Sequence, residues 1–417
     1  MKKKLLGLVL IFTISLLQTT VSSNEKVNED KIPKLQIGVI SDIHLGEEKE
    51  SKIFINALND YKNIAPNCRA LAIVGDFTNH GLEFQYDEFK KVLDKNISSN
   101  VEKIVTIGNH EFYERRIDEK SKVTDNELKD RFVNKTGMPG VYYDKWIDGY
   151  HFIALGSEES MISNPKNEDS AIISEEQYSW LEKTLAVNKA NKNPIFMFLH
   201  QPISDTVYGS EYCGGLKDGR LLSLLKQYPQ VILFSGHSHF LLNHPRTIYQ
   251  DGFTMVNTAS VAYTWFEGGE GASQYSQGLL LDVYKDRVEI KSRDFTSHNW
   301  INTHIVKIPY EENIKDTTKP TFPSEAKVTI DEATENSITL SWDAAEDDTL
   351  VDKYYIKKDG EVIETKYIKF WENKNEKRVS VTLANLSPGT EYNIEIYAVD
   401  AWGNQSLNPL KVIPRTK

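Results

Sequence analysis

Five short segments of this 417-residue chain carry side chains of the kinds that bind metal ions. They are Asp42-Ile43-His44, Gly75-Asp76, Gly108-Asn109-His110-Glu111, the single His200, and Gly236-His237-Ser238-His239. Five of the ten histidines of the chain fall in them, so the clustering is more than a histidine-rich composition. Carboxylate, amide oxygen and imidazole in these numbers suit a pair of ions such as Mn, Fe or Zn, and the lack of thiolate argues against a structural zinc site. On extended backbone, D-x-H and H-x-H spacing puts both side chains on one face, because residues i and i+2 point the same way. The glycines before Asp76, Asn109 and His237 would allow sharp turns. Taken singly, each piece is commonplace: a lone D-x-H is more often a surface carboxylate beside a core histidine. The ordered set carries the meaning.

The elements that must position these residues are legible around them. Near-continuous apolar runs at 36–41 (QIGVIS), 70–74 (ALAIV), 103–107 (KIVTI), 150–155 (YHFIAL), 195–199 (IFMFL) and 231–234 (VILF) read as strands buried on both faces. Helical patterns at 52–63, 82–97, 126–136, 175–191 and 218–227 alternate with them, which predicts an α/β domain. Residues 252–293 look richer in strands, as a second sheet packed on the first would be. Every candidate segment follows the C-terminal end of an apolar run, where open α/β sheets bind ligands. His151 alternates within a strand and reads as core.

The order D-x-H, G-D, G-N-H-E, H, G-H-x-H, running from Asp42 to His239, resembles the motif set of the calcineurin-like metallophosphoesterases. The resemblance implies a four-layer α-β-β-α sandwich. It assigns Asp42, His44 and His239 to a first metal ion and Asn109, His200 and His237 to a second, with Asp76 bridging both and His110 as the catalytic histidine. It implies phosphoester hydrolysis in which two metals activate water and clamp the phosphoryl oxygens. His110, if protonated, would donate to the leaving group. Two departures narrow the field. The protein serine/threonine phosphatases follow G-D with a stretch ending Asp-Arg-Gly, but residues 75–81 here read GDFTNHG. The purple acid phosphatases have Tyr three residues after the bridging Asp, where this chain has Asn79. What is left resembles the phosphodiesterase and nucleotide-hydrolase branch, including cyclic-nucleotide phosphodiesterases. A phospholipid-directed phosphodiesterase and a non-catalytic binding protein on the same fold are the competing expectations.

Substrate contacts are less legible. Tyr208, Tyr212, Tyr263 and Trp265 lie after or between the motif strands and could stack on a base, although residues so placed more often pack loops on the core. Arg115 and Arg116 follow the G-N-H-E turn and could reach a phosphate, but they also fit the solvated face of a helix. Cys68 and Cys213 are the only cysteines, and their places in the strand pattern argue against pairing.

Near residue 316 the texture changes to DTTKPTFP, a linker composition, and short β-like runs follow. Residues 320–416 resemble a fibronectin type III domain through Leu340-Ser341-Trp342, LSPGTEY at 386–392 and Ala398-Val399-Asp400. The resemblance implies an all-β immunoglobulin-like sandwich with Trp342 in its core and Tyr392 at a tyrosine corner. A spacer is the plain expectation for it; a cell-wall or carbohydrate contact is the other. At the opposite end, Lys2, Lys3 and Lys4 precede a short apolar run and small residues up to Ser23, as in a secretory leader. The expected organisation is therefore a signal peptide at 1–23, a charged lead-in, a catalytic domain at 24–316 and a fibronectin-like domain at 317–417. The expected protein is secreted, without a membrane span once the leader is cleaved. A formal charge of −11 disfavours binding to a nucleic-acid polymer and is compatible with a small phosphoester substrate, because bound metals invert the local field.

Overall fold

In the computed structural model, residues 31–417 are described except 189, 270, 311–314 and 373–376. The leader expected at 1–23 lies outside the described residues. No described helix is long and apolar enough to cross a membrane.

The chain enters through β1 (Leu35–Ile40), α1 (Glu48–Ile64), β2 (Ala70–Val74), α2 (Glu83–Asn96) and β3 (Glu102–Thr106). The three strands are parallel neighbours, β1 beside β2 and β2 beside β3. Two short helices follow, α3 (Glu114–Ile117) and α4 (Asp125–Thr136). Thr124 caps α4 by accepting from the backbone N–H of Glu127, and Gly137, at φ 74°, ends it in the left-handed conformation that glycine adopts freely. A second sheet is then built from β4 (Tyr143–Ile147), β5 (Tyr150–Ala154), α5 (Glu175–Ala186), β6 (Ile195–Phe198), α6 (Arg220–Leu225), β7 (Val231–Ser235), β8 (Ile248–Gln250) and β9 (Thr254–Asn257). Its strand order is β4-β5-β6-β7-β9-β8, with β5, β6, β7 and β9 parallel. Finally β10 (Gln277–Val283), β11 (Arg287–Asp294) and β12 (Asn299–Lys307) return to the first sheet, whose order is β12-β11-β10-β1-β2-β3.

Burial on both faces explains the apolar runs. In β2, Ala70, Ala72 and Val74 pack toward Phe152, Phe196, Phe198 and Phe234 of the second sheet. Leu71 and Ile73 face the other way, onto Phe54 and Leu58 of α1 and Phe89 of α2. In the second sheet Met197 and Leu233 pack on Tyr178, Leu181 and Leu185 of α5. The layers are thus helix, sheet, sheet, helix. At about 25 cal/mol per Å² of apolar area removed from water, such two-faced burial is the main stabilising term. The edge strands β4, β8 and β12 carry no continuous apolar run, and the sequence pattern did not single them out. The strand-rich region at 252–293 also divides: β9 joins the second sheet, whereas β10 and β11 join the first.

The C-terminal domain comprises β13 (Val328–Ala333), β14 (Ile338–Asp343), β15 (Val351–Lys358), β16 (Glu361–Tyr367), β17 (Arg378–Leu383), β18 (Ile394–Asp400) and β19 (Leu410–Val412). Two antiparallel sheets, β13-β14-β17 and β16-β15-β18-β19, enclose Trp342, Tyr354, Ile356 and Ile394. The backbone N–H of Ser387 donates to the Tyr392 hydroxyl at 2.7 Å, closing the tyrosine corner.

Candidate metal centre

All five motif segments leave strands at one rim, where the C-terminal ends of β1, β2 and β3 meet those of β6 and β7. The backbone there is unusual. Asp42, His44, Asp76, His237 and His239 have φ of 53°, 50°, 49°, 68° and 57°, a left-handed conformation that costs free energy for residues with a Cβ. The backbone of D-x-H and H-x-H is therefore not extended, as the spacing had suggested. Paired left-handed turns, not strand alternation, bring both side chains of each motif to the site. The glycine argument changes too. Gly75, at φ 77°, is a turn glycine, but Gly108 and Gly236 provide space. A Cβ on Gly108 would lie 2.2 Å from Asp76 Oδ1, and one on Gly236 would lie 2.3 Å from Asp42 Oδ2.

The segments are stitched together through the candidate ligands themselves. Asp42 Oδ2 accepts from the backbone N–H of His237 at 3.1 Å, and Asp76 Oδ1 accepts from that of His110 at 2.9 Å. His44 N–H donates to the Asp76 carbonyl at 2.9 Å, and Gly236 N–H to that of His200 at 3.0 Å. His200 Nδ1 donates to the Val74 carbonyl at 2.7 Å, which aims Nε2 inward. That Nε2 lies 3.0 Å from Asp76 Oδ2 and 3.1 Å from Asn109 Oδ1. His239 Nε2 is 2.9 Å from Asp42 Oδ1 and 3.1 Å from His44 Nε2, which in turn is 4.0 Å from Asp76 Oδ2. Three sets of ligand atoms each fit within 4.8 Å: Asp42 with His44 and His239, Asp76 with His200 and His237, and His44 with Asp76 and His110. Asp76 is common to the last two, and Asn109 adjoins His200.

The electrostatics fit cations. Among the described residues, no Lys or Arg pairs with Asp42 or Asp76, both fully buried. Burial alone would raise the pKa of either carboxyl, yet the neighbouring imidazoles hold both well below the usual carboxylate range. Burial likewise opposes charge on His200, but Asp76 and Asp42 overcome it and hold its pKa at about 10. Burial pushes His44 down to about 4 and His237 to about 3, so both offer neutral, ligand-competent rings. Two ionised carboxylates and the neutral rings of His44 and His237 in one interior form a donor set suited to divalent ions, and a cation beside His200 would take the place of the proton that the carboxylates hold there.

Several residues around the centre had no role assigned from sequence. Glu111, fully buried, accepts from the backbone N–H groups of Asp76, Thr78 and Gly108 at 3.0, 2.9 and 2.7 Å, tying the β2 and β3 loops together. Its place as the fourth residue of G-N-H-E was the available signal. Burial, followed by the charge of Asp76, raises its pKa to about 7. Tyr113 accepts from Asn109 Nδ2 at 2.8 Å and donates to Asp169 at 2.6 Å, which fixes the Asn109 amide with its oxygen toward His200. Asp169 lies 56 residues from Tyr113, beyond reach of any local pattern. His110 is half-open, and its Nδ1 donates to the Asn79 carbonyl at 2.8 Å, supplying the orienting partner that the sequence did not disclose.

The substrate candidates separate. The Tyr263 ring packs on His239 at 4.6 Å and on His44 at 5.7 Å, and Trp265 meets Tyr263 edge-on at 5.9 Å, 42% exposed. Tyr208 is corrected: it is buried, stacked on His244 at 3.7 Å, and not open to a substrate. Tyr212 is exposed, and its hydroxyl is engaged by Glu267. Arg115 pairs with Asp125, whereas Arg116 lies exposed over the Tyr113 ring at 4.6 Å. His151 is a satisfied core histidine between Asp144 and Asn188, and both cysteines are unpaired.

Comparison with known proteins follows this division of the chain. Residues 35–241 match the profile of the calcineurin-like phosphoesterases, and residues 320–412 match that of the fibronectin type III domain. No curated protein sequence matches the chain. Among solved structures, a dimetal phosphatase from Danio rerio is 15% identical, with 66% of this chain and 99% of that one covered at a TM-score of 0.49. The purple acid phosphatase PPD1 from yellow lupin (Lupinus luteus) seeds is 13% identical, covering 66% and 53% at 0.46. GAP50, the anchor in the inner membrane complex of Plasmodium, is 15% identical, covering 66% and 89% at 0.43.

Proposed function

Because the chain joins a domain of the calcineurin-like phosphoesterase family to a fibronectin type III domain, we propose that it is a secreted hydrolase of small phosphoesters that uses two divalent metal ions. The observation that carries this reading is that two ligand sets, Asp42 with His44 and His239 and Asp76 with His200 and His237, adjoin each other, with His44 Nε2 4.0 Å from Asp76 Oδ2 and His200 Nε2 3.9 Å from Asp42 Oδ1. Asp42, His44 and His239 would hold one ion and Asn109, His200 and His237 the other, with the Asp76 carboxylate shared between the two sets. When bound, such ions activate water and neutralise charge on the phosphoryl oxygens.

The remaining work belongs to the protein. Glu111 and Tyr113 hold the Asp76 loop and the Asn109 amide in place. His110, fixed at Nδ1 by Asn79, presents Nε2 to the site 3.9 Å from Asp76 Oδ2, placed to give a proton to the departing alkoxide. Tyr263 and Trp265 form the wall beside His44 and His239, where an aromatic base or another flat leaving group would stack. That wall favours phosphodiesters of nucleotide type over protein substrates.

The test is hydrolysis of bis-p-nitrophenyl phosphate and of p-nitrophenyl phosphate by the mature protein, with Mn²⁺ and with chelator. Metal-dependent turnover, faster on the diester, is expected. Two bound metals with no turnover of either substrate would instead favour a binding role.

A further inference from the structure

The segment that follows β9 links the metal centre to the C-terminal domain. At its start, Ser260 Oγ donates to the Asp42 carbonyl at 3.0 Å, and Ala262 N–H donates to the same oxygen at 3.0 Å. Trp265 N–H donates to the His239 carbonyl at 2.8 Å, and Leu241 N–H to the Trp265 carbonyl at 3.1 Å. Between these bonds the Tyr263 ring lies against His44 and His239. One segment, 260–269, therefore touches side chains or carbonyls of all three members of the first ligand set.

The other side of the loop is held by the C-terminal domain. Lys353 of β15 donates to both carboxylate oxygens of Glu267 at 2.7 Å, and both side chains are only 12% exposed. Tyr212 also donates to Glu267, at 2.7 Å. Trp371 packs on Phe266 at 4.5 Å between centroids, in a buried cluster with Leu241 and Ala272. Gly268 lets the backbone approach, since a Cβ there would lie 2.8 Å from Cβ of Tyr367. Removing one partner of a buried ion pair leaves the other charge uncompensated, so such a contact constrains geometry more strongly than a surface pair does.

We propose that the C-terminal domain is a working part of the catalytic site: through Lys353 and Trp371 it sets the position of the 260–269 segment, and with it the Asp42, His44 and His239 half of the ligand cluster. Lys353 and Trp371 are positioning residues, because neither touches the ligands. The inference rests on the reading that this cluster holds metal.

The experiment is a Co²⁺ titration of the full chain, followed by calorimetry and absorption, with kinetics on the same samples. Lys353→Met and Trp371→Ala are compared with wild type and with Arg378→Ala, which alters the opposite sheet of the same domain. The expected result is two binding events in all four proteins, with one of the two weakened roughly ten-fold in Lys353→Met and Trp371→Ala. kcat falls with that affinity at saturating substrate, and Arg378→Ala stays at wild-type values. Both Co²⁺ affinities and kcat unchanged in a folded Lys353→Met would overturn the proposal. Should Trp371→Ala not fold, Glu267→Gln, which keeps size and removes the charge, takes its place with the same expectation. A wild type that binds two Co²⁺ without hydrolysing any ester would sink the hydrolase reading, and the affinity comparison would still decide this one.

Discussion

His110 is set apart by exposure, its side chain 24% open where those of His44, His200 and His239 are almost wholly buried. The ring nitrogen facing away from the site donates to a backbone carbonyl, that of Asn79, and the other faces Asp76 from 3.9 Å, so the ring is oriented without being locked into an ion pair. That arrangement suits proton delivery better than ligation. His110→Ala should leave two metals bound and slow the diester with a poor leaving group by about 10²-fold or more, while slowing p-nitrophenyl esters much less. Equal slowing of both, with metal lost, would move His110 into the ligand set. The residues that bear chemistry were legible because each is a polar exception after an apolar run. Asp169 was not, because its bond to Tyr113 spans 56 residues and exists only once the β3 turn has been folded against a distant loop, and Tyr113, four residues after Asn109, gains its meaning from that bond.

At the scale of elements, the centre is built from strand ends and from the spaces between them. The buried strands were readable, β2 to the residue, because two-faced burial writes a continuous apolar run. Edge strands such as β12 were not, since most of their residues face solvent and pairing alone defines them. The left-handed turns at Asp42, His44, His237 and His239 were hidden as well, because Asp and His, though commoner at positive φ than most residues, adopt it at only a small fraction of their positions. Gly108 shows what the elements demand of each other. Gly108→Ala would push a methyl group into Asp76, with its oxygen and backbone nitrogen 2.2 and 2.5 Å from the new carbon. Overpacking of that kind costs about 1–3 kcal/mol or more. The expected outcome is a lower melting temperature together with reduced metal content by elemental analysis. An unchanged metal content would show that the β2 and β3 loops separate more easily than their Glu111 tie implies.

Over the whole molecule, the two domains meet across a contact that mixes a buried ion pair, an edge-to-face aromatic pair and a histidine, His244, 3.6 Å from Asp352. The sequence marked the second domain and its linker but could not place it, because Lys353, Trp371 and Glu267 look like ordinary strand and loop residues until the domains are brought together. The contact puts the fibronectin-like domain next to the loop that borders the candidate metal centre. The central claim remains that one carboxylate, Asp76, serves two ions and that hydrolysis depends on both. The most direct measurement is metal stoichiometry by elemental analysis, alongside turnover of bis-p-nitrophenyl phosphate, for wild type and Asp76→Asn reconstituted with Mn²⁺. Two ions per chain with turnover in the wild type, and fewer ions with turnover down by about 10²-fold or more in the variant, are the predicted results. Two firmly bound ions and undiminished turnover in Asp76→Asn would contradict the account.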